Sequence, residues 1–176
     1  MLRVAILADT HGFLDARVEA LVATCDLAVH GGDIGNAEVL QRLRPRQGRI
    51  IAVIGNNDLP RKWPPEQAQV LDGLREHEDL MLPGGTLAVI HGHQLAARNR
   101  HQRLRRRFPQ ARAIVYGHSH RLIADRDVQP WVLNPGAAGR ARTFGGPSCI
   151  VLDAAEHRWA LRIERFEPLT CHGRSS

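Results

Sequence analysis

Apolar residues run along the first third of the chain in short, nearly continuous stretches, each stopped by glycine or a polar turn. "LRVAILAD" is the first of these, and an apolar run without alternation marks a strand buried on both faces. "LDARVEALVATC" follows, with Leu14, Val18, Leu21 and Val22 at helical spacing. "DLAVHGGD" predicts a second short strand ending at glycines, residues 37–43 a weak helix, and "RIIAVIGNND" a third strand with β-branched residues. The order β-α-β-α-β predicts parallel strands with helices packed outside them.

The pattern then changes. "LPRKWPPEQ" reads as a loop or short insertion. "EDLMLPGGTLAVIHGH" predicts a hairpin around Pro83, Gly84 and Gly85. A basic helix over about 95–108 leads into "ARAIVYGHSH", another strand. After it, "RLIADR", "WVLNPG", "PSCIVLDA" and "HRWALRIERF" are short strands with no helix between them, which predicts a second, largely antiparallel sheet or sheet half. Residues 1–168 are expected to form one domain, with a disordered tail over 169–176. No internal repeat or low-complexity segment interrupts the chain.

Composition sharpens this picture in three respects. Of 176 residues, 43% are hydrophobic but only 5% aromatic, so aliphatics and alanine must fill the core. No run approaches the ~18 apolar residues of a membrane span, and the apolar start is too short for a signal peptide. A cytoplasmic protein without a membrane partner is therefore expected. Cys25, Cys149 and Cys171 are scattered, odd in number and without a CxxC pair. This excludes a disulfide framework and makes Cys25 and Cys149 small core residues.

The net charge is +6 with a pI near 10.4, which invites a nucleic-acid reading. Much of the excess lies in "RNRHQRLRRRF" over 98–108, where Leu104 and Phe108 keep one apolar edge. That helix is either a solvated face or a rim that steers an anionic substrate.

Six of the ten histidines fall at predicted strand ends: His11, His30, His91, His93, His118 and His120. Asp9, Asp33 and Asn56 join them. Ligands of open α/β sheets bind outside the carboxyl ends of the strands, so these residues are aimed at one edge. Asp9 and His11, two apart at a strand end, are expected to point the same way. Asp33 follows two glycines, which let the backbone turn sharply and a ligand approach. Each fragment alone reads as a turn or a satisfied polar residue. Together, every predicted central strand ends in a Gly-rich loop carrying a metal-competent side chain, which points to a metal site. The donors are imidazole, carboxylate and amide, without thiolate. That set excludes a Cys-type structural zinc site and suits Mn2+, Fe, Co2+, Ni2+ or Zn2+. Seven ligands suit two ions sharing one carboxylate, a pair ~3.5–4 Å apart.

The ordered set "DTH", "GGD", "GNND", "HGH" and "GHSH" resembles the calcineurin-like metallophosphoesterases, over nearly the whole chain from Leu2 to about Asp153. Minimal length and "NPGAAG" at 134–139 make the chain most similar to the small prokaryotic phosphodiesterases of that family. The resemblance implies an α/β fold, a four-layer α-β-β-α sandwich of two mixed β-sheets with flanking helices. It implies two divalent ions, Mn2+ first, with Asp9, His11 and His120 on one, Asn56, His91 and His118 on the other, and Asp33 bridging. His118 and His120 would then serve different ions. His93 is expected beside the ligands or near the substrate, and Asp33, Asn56 and His93 closest to the reaction. His30 either orients Asp33 through a hydrogen bond or is a core histidine. Two cations would neutralise phosphate oxygens, lower the pKa of a water between them and align the hydroxide for in-line attack.

One departure bears on catalysis. Many family members carry histidine in "GNH(D/E)" to protonate the leaving group; here the position is Asn57, and an amide cannot act as a general acid. Weaker catalysis, biased to good leaving groups, is expected. Asp58 would normally orient the missing histidine. Ala137 stands where serine is usual. Asn57, Arg140 and Arg142 are candidate substrate contacts, the two arginines through a phosphate or else as solvated surface.

The expected function is hydrolysis of a small or nucleotide-like phosphodiester. A metal-dependent nuclease is the first alternative, since the family includes one and the chain is basic. A non-enzymatic scaffold is the second, as in retromer's metallophosphoesterase-like subunit. Oligomeric state is open, a dimer included.

Overall fold

The computed structural model describes residues 1–169. The strand β1 (Leu2–Leu7) is followed by α1 (Ala16–Val22), β2 (Leu27–His30), α2 (Ala37–Arg42) and β3 (Arg49–Ala52). The hairpin is β4 (His77–Leu82) and β5 (Gly85–Ile90), and the basic helix is α3 (Arg100–Arg107). Then come β6 (Ala113–Val115), β7 (Leu122–Asp125), β8 (Trp131–Pro135), β9 (Ser148–Ala154) and β10 (Trp159–Arg165). The strands form two five-stranded sheets, ordered β10-β9-β1-β2-β3 and β4-β5-β6-β8-β7. Both are mixed: β1, β2 and β3 pair in parallel while β9 runs antiparallel to β1. In the second sheet β5, β6 and β8 are parallel, with antiparallel β4 and β7 at the edges.

The period of two along each strand explains the layers. Val4 and Ile6 face the second sheet and pack with Val29, Leu87, Val89, Val115, Leu133 and Ile150. Ala5 and Leu7, on the other face of β1, pack against Val18 and Val22 of α1 and Val39 of α2. Leu87 and Val89 of β5 join the central layer, while Ala88 and Ile90 meet Leu104 of α3. Three cores separate four layers, which is why the central strands are apolar on both faces. Ile6 is fully buried in the middle one. Ile6→Val should cost about 0.5–1.5 kcal/mol, read from a urea titration; no change in midpoint would mean that the two sheets are loosely seated.

Local chemistry sets the ends of the first helices. The Asp15 carboxylate accepts from the Arg17 N–H at 2.8 Å and caps α1. Asn36 Oδ1 accepts from the Val39 N–H at 3.0 Å and caps α2.

Three expectations need correction. The four late strands do not make a sheet of their own: β7 and β8 complete the second sheet, and β9 and β10 extend the first beyond β1. The proline-rich connection is not irregular. It folds into 3-10 turns at Pro60–Lys62 and Pro65–Gly73, because Trp63 and Leu71 bury against the helix side of the first sheet. The basic helix begins at Arg100 rather than near 95, since Asn99 adopts a left-handed φ of 56° that ends any backward extension. Of the tail expected over 169–176, only Leu169 lies within the described residues.

Candidate metal centre

The carboxyl ends of β1, β2, β3, β5 and β6 open onto one rim, and each carries candidate ligands. Asp9 and His11 follow β1, Asp33 follows β2, and Asn56 lies beyond β3. His91 directly follows β5, and His118 and His120 follow β6. The cluster therefore straddles the seam between the two sheets.

Backbone conformation aims these side chains. Asp9, His11, Asp33, His118 and His120 have φ of 54°, 48°, 55°, 65° and 57°. The left-handed region costs a non-glycine residue about 1–2 kcal/mol, and such strain gathers at functional sites. Simple strand alternation, expected to point Asp9 and His11 the same way, is not what directs them. Left-handed turns do, held by the Asp9 N–H on Gly32 O and the His11 N–H on Asp33 O, both at 3.0 Å.

The resulting geometry has two lobes. In one, the ligand atoms of Asp9, His11 and His120 lie within 4.8 Å of one another. His11 Nε2 is 3.1 Å from His120 Nε2, which is 3.5 Å from Asp9 Oδ1. In the other, Asn56 Oδ1 lies 3.2 Å from His91 Nε2 and 2.9 Å from His118 Nδ1. Asp33 stands between them, its Oδ2 3.8 Å from His11 Nε2 and 3.4 Å from His91 Nε2. Asp9, Asp33 and His91 form a second set within 4.8 Å. His118 and His120 thus part around Ser119, one to each lobe.

Electrostatics favour a cation at the cluster. Burial pushes the Asp9 carboxyl up to about 7, and its Oδ2 is buried without a hydrogen-bond partner. A buried carboxylate oxygen without a donor is costly unless a cation meets it. Burial also lowers His11 and His118, and takes His120 down to about 4. Burial thus favours the neutral imidazole, the form that binds metals. Burial alone would raise Asp33, but the His91 hydrogen bond and charge, with the Asn57 donors, hold it well below the usual carboxylate range. For His91, burial is outweighed by Asp33, and its pKa is raised. The residues present fit divalent ions.

Supporting contacts fix the candidate ligands. His91 Nδ1 lies 2.8 Å from Gly31 O and His120 Nδ1 3.1 Å from Ala141 O, so each ring can donate to a carbonyl and turn Nε2 to the cluster. Asn57 touches Asp33 directly: its backbone N–H donates to Oδ1 at 2.8 Å and its Nδ2 to Oδ2 at 2.7 Å. Lys62 Nζ donates in turn to Asn57 Oδ1. Asp58, with no histidine to orient, has another task. Its buried carboxylate accepts from the N–H groups of Ile34, Gly35 and Gly55, each at 2.9 Å, and from Trp63 Nε1 at 3.2 Å. It ties together the loops that carry Asp33 and Asn56. This hub was not evident from the sequence, where "GNND" reads as a turn.

The remaining candidates divide. His93 is exposed, with its ring centre 5.4 Å from that of His91 and 6.2 Å from that of His118. Arg142 Nη2 lies 3.1 Å from His120 Nε2 and so reaches the cluster. Arg140 instead stacks 3.8 Å from the centre of the Phe13 ring. His30 does not orient Asp33. It is fully buried, with Nε2 2.9 Å from Thr10 Oγ1 and Nδ1 accepting from the Gly32 N–H at 3.2 Å. His30 therefore braces the β1 and β2 loops.

A family model described as the calcineurin-like phosphoesterase superfamily domain matches residues 2–157. Comparison with curated proteins finds no match. Among solved structures, a Vps29 single mutant from Entamoeba histolytica superposes with a TM-score of 0.74 at 19% identity, covering 94% of this chain and 99% of that one. YfcE, a phosphoesterase from E. coli, gives 0.64 at 25% identity, covering 86% and 88%. An archaeal phosphodiesterase gives 0.68 at 20% identity, covering 93% and 100%. Among the described residues, no helix is long and apolar enough to cross a membrane.

Proposed function

The chain belongs to the calcineurin-like phosphoesterase superfamily, and from that premise we propose that it is a phosphodiesterase using two divalent metal ions, Mn2+ foremost, on a small or nucleotide-like diester. The observation that carries this reading is the pair of carboxylates at the seam. Asp9 keeps a buried oxygen without a partner, and Asp33 Oδ2 stands between the histidines of the two lobes. Asp9, His11 and His120 would hold one ion, Asn56, His91 and His118 the other, with Asp33 shared. When bound, two such ions supply charge neutralisation at the phosphate and an activated water.

The protein's own groups do the rest. Asn57 holds Asp33 ionised and in place through two N–H donors. Arg142, beside His120, offers a guanidinium to a phosphate oxygen arriving at that lobe. His93, exposed next to His91 and His118, is the side chain best placed to meet the leaving group. The Asn57 amide cannot act as a general acid, so substrates whose alcohol leaves readily are favoured. The domain spans residues 1–168 and works in the cytoplasm.

Chelated protein re-supplied with Mn2+, Ni2+, Co2+, Zn2+ or Mg2+ should hydrolyse bis-p-nitrophenyl phosphate faster than p-nitrophenyl phosphate, and be silent without metal. The Vps29 likeness, the highest TM-score of the three structures described, favours one rival: a binding scaffold on the same fold. Protein that binds two ions by calorimetry yet hydrolyses neither ester with any metal would replace the enzyme reading with the scaffold.

A further inference from the structure

Beside the metal-ligand loop, a cavity of about 400 Å³ opens between the start of α3, the end of β6 and β7. Its volume is within the range of small-molecule sites. The wall it shares with the candidate metal centre is Ser119, whose two chain neighbours are His118 and His120. The same short loop therefore borders the cavity through Ser119 and the candidate metal centre through His118 and His120.

Two arginines, Arg100 and Arg121, line it, with no carboxylate among the lining residues. The Arg100 guanidinium donates only to Leu95 O, at 3.3 and 3.2 Å. That of Arg121 lies over the Phe144 ring, 4.5 Å from its centre. Among the described residues, neither forms a salt bridge, unlike Arg105. The nearby acid, Asp125, is already engaged by Arg105 Nη2 and His101 Nδ1, both at 2.7 Å. His101 is fixed further by Tyr116, whose hydroxyl lies 3.1 Å from Nε2. Two arginines without anions therefore frame a polar floor already in place.

We propose that this cavity binds a second phosphate group of the substrate and so selects phosphodiesters that carry another phosphate on the part that does not react. The inference rests on the phosphoesterase reading for its substrate, but not for its test. Titration calorimetry on the full chain would compare adenosine 3′,5′-bisphosphate with adenosine 5′-monophosphate, with and without Mn2+. The bisphosphate should bind about tenfold more tightly or better, as two charge-assisted contacts require. Arg100→Gln with Arg121→Gln should erase that preference while leaving monophosphate binding within about twofold. The double lysine variant, which keeps charge without the planar fork, should retain part of it. Both side chains reach solvent, and an unchanged melting temperature would show that the variants fold. Equal affinities, no binding of either nucleotide, or a preference that survives the glutamine variant would each overturn the proposal. If the preference holds but bis-p-nitrophenyl phosphate is never hydrolysed, the phosphodiesterase reading falls and the phosphate cavity stands.

Discussion

Asp33→Ala should lower the metal-dependent turnover of bis-p-nitrophenyl phosphate on the order of 10³-fold, the equivalent of several kcal/mol of transition-state stabilisation. Among the described residues, Asp33 Oδ2 is the one carboxylate oxygen within 4 Å of a histidine from each lobe, His11 and His91. Its anionic form is the one that Asn57 supports with two donors. Without it, the two lobes of the proposed two-ion site would share no carboxylate. The alanine variant should bind fewer ions per chain, measured by elemental analysis after gel filtration. Asp33→Asn keeps the shape and the fold and should lose nearly as much activity, which separates charge from packing. A variant that held two ions and kept its turnover would end the bridging role.

Asp58→Ala should be the most destabilising substitution at the rim. The Asp58 carboxylate accepts from four N–H groups in three segments, and it is fully buried. Leaving a buried donor without its partner costs about 1–3 kcal/mol, so the loss of the hub should exceed about 3 kcal/mol in a urea titration. The loops bearing Asp33 and Asn56 would also slip, and metal affinity should fall about 10–100-fold, as it does when groups behind metal ligands are removed. Asp58→Asn retains acceptor capacity and should lose clearly less stability than the alanine variant. A change under about 1 kcal/mol, with metal affinity intact, would show that the loops hold themselves.

The elements that were legible in the sequence are those whose burial is one-dimensional. The run through Val4 to Leu7 is apolar at every position because the strand lies between two cores, and its place in a parallel sheet follows. The hairpin around Gly84 was legible for a similar reason, since turn and strands are contiguous. The partition of the late strands was not, because β9 and β7 carry the same local pattern. What separates them is that Ile150 pairs across from Ile6 while Ala124 pairs across from Leu133, a choice made at long range. The candidate ligands were legible as residue types at strand ends. Their aim was not, because it depends on left-handed backbone at aspartates and histidines, which composition does not signal. Asp58 stayed hidden because its partners are backbone N–H groups that are the same in any sequence.

The straddling of the seam has a consequence for how the protein assembles. Asp9, His11, Asp33 and Asn56 come from the first sheet, while His91, His118 and His120 come from the second. Neither sheet alone owns a lobe, so neither can bind an ion at full strength before the two have docked. A metal held there would then act as a ligand of the native state only. At a free concentration a hundred times its Kd, one ion adds about 2.7 kcal/mol to the free energy of unfolding. The candidate ligands converge only when the two sheets dock, so wherever docking follows the rate-limiting step that gain should appear as slower unfolding rather than faster folding. The ions would serve as a clasp on the finished molecule, closed after the sheets are seated and released before they part.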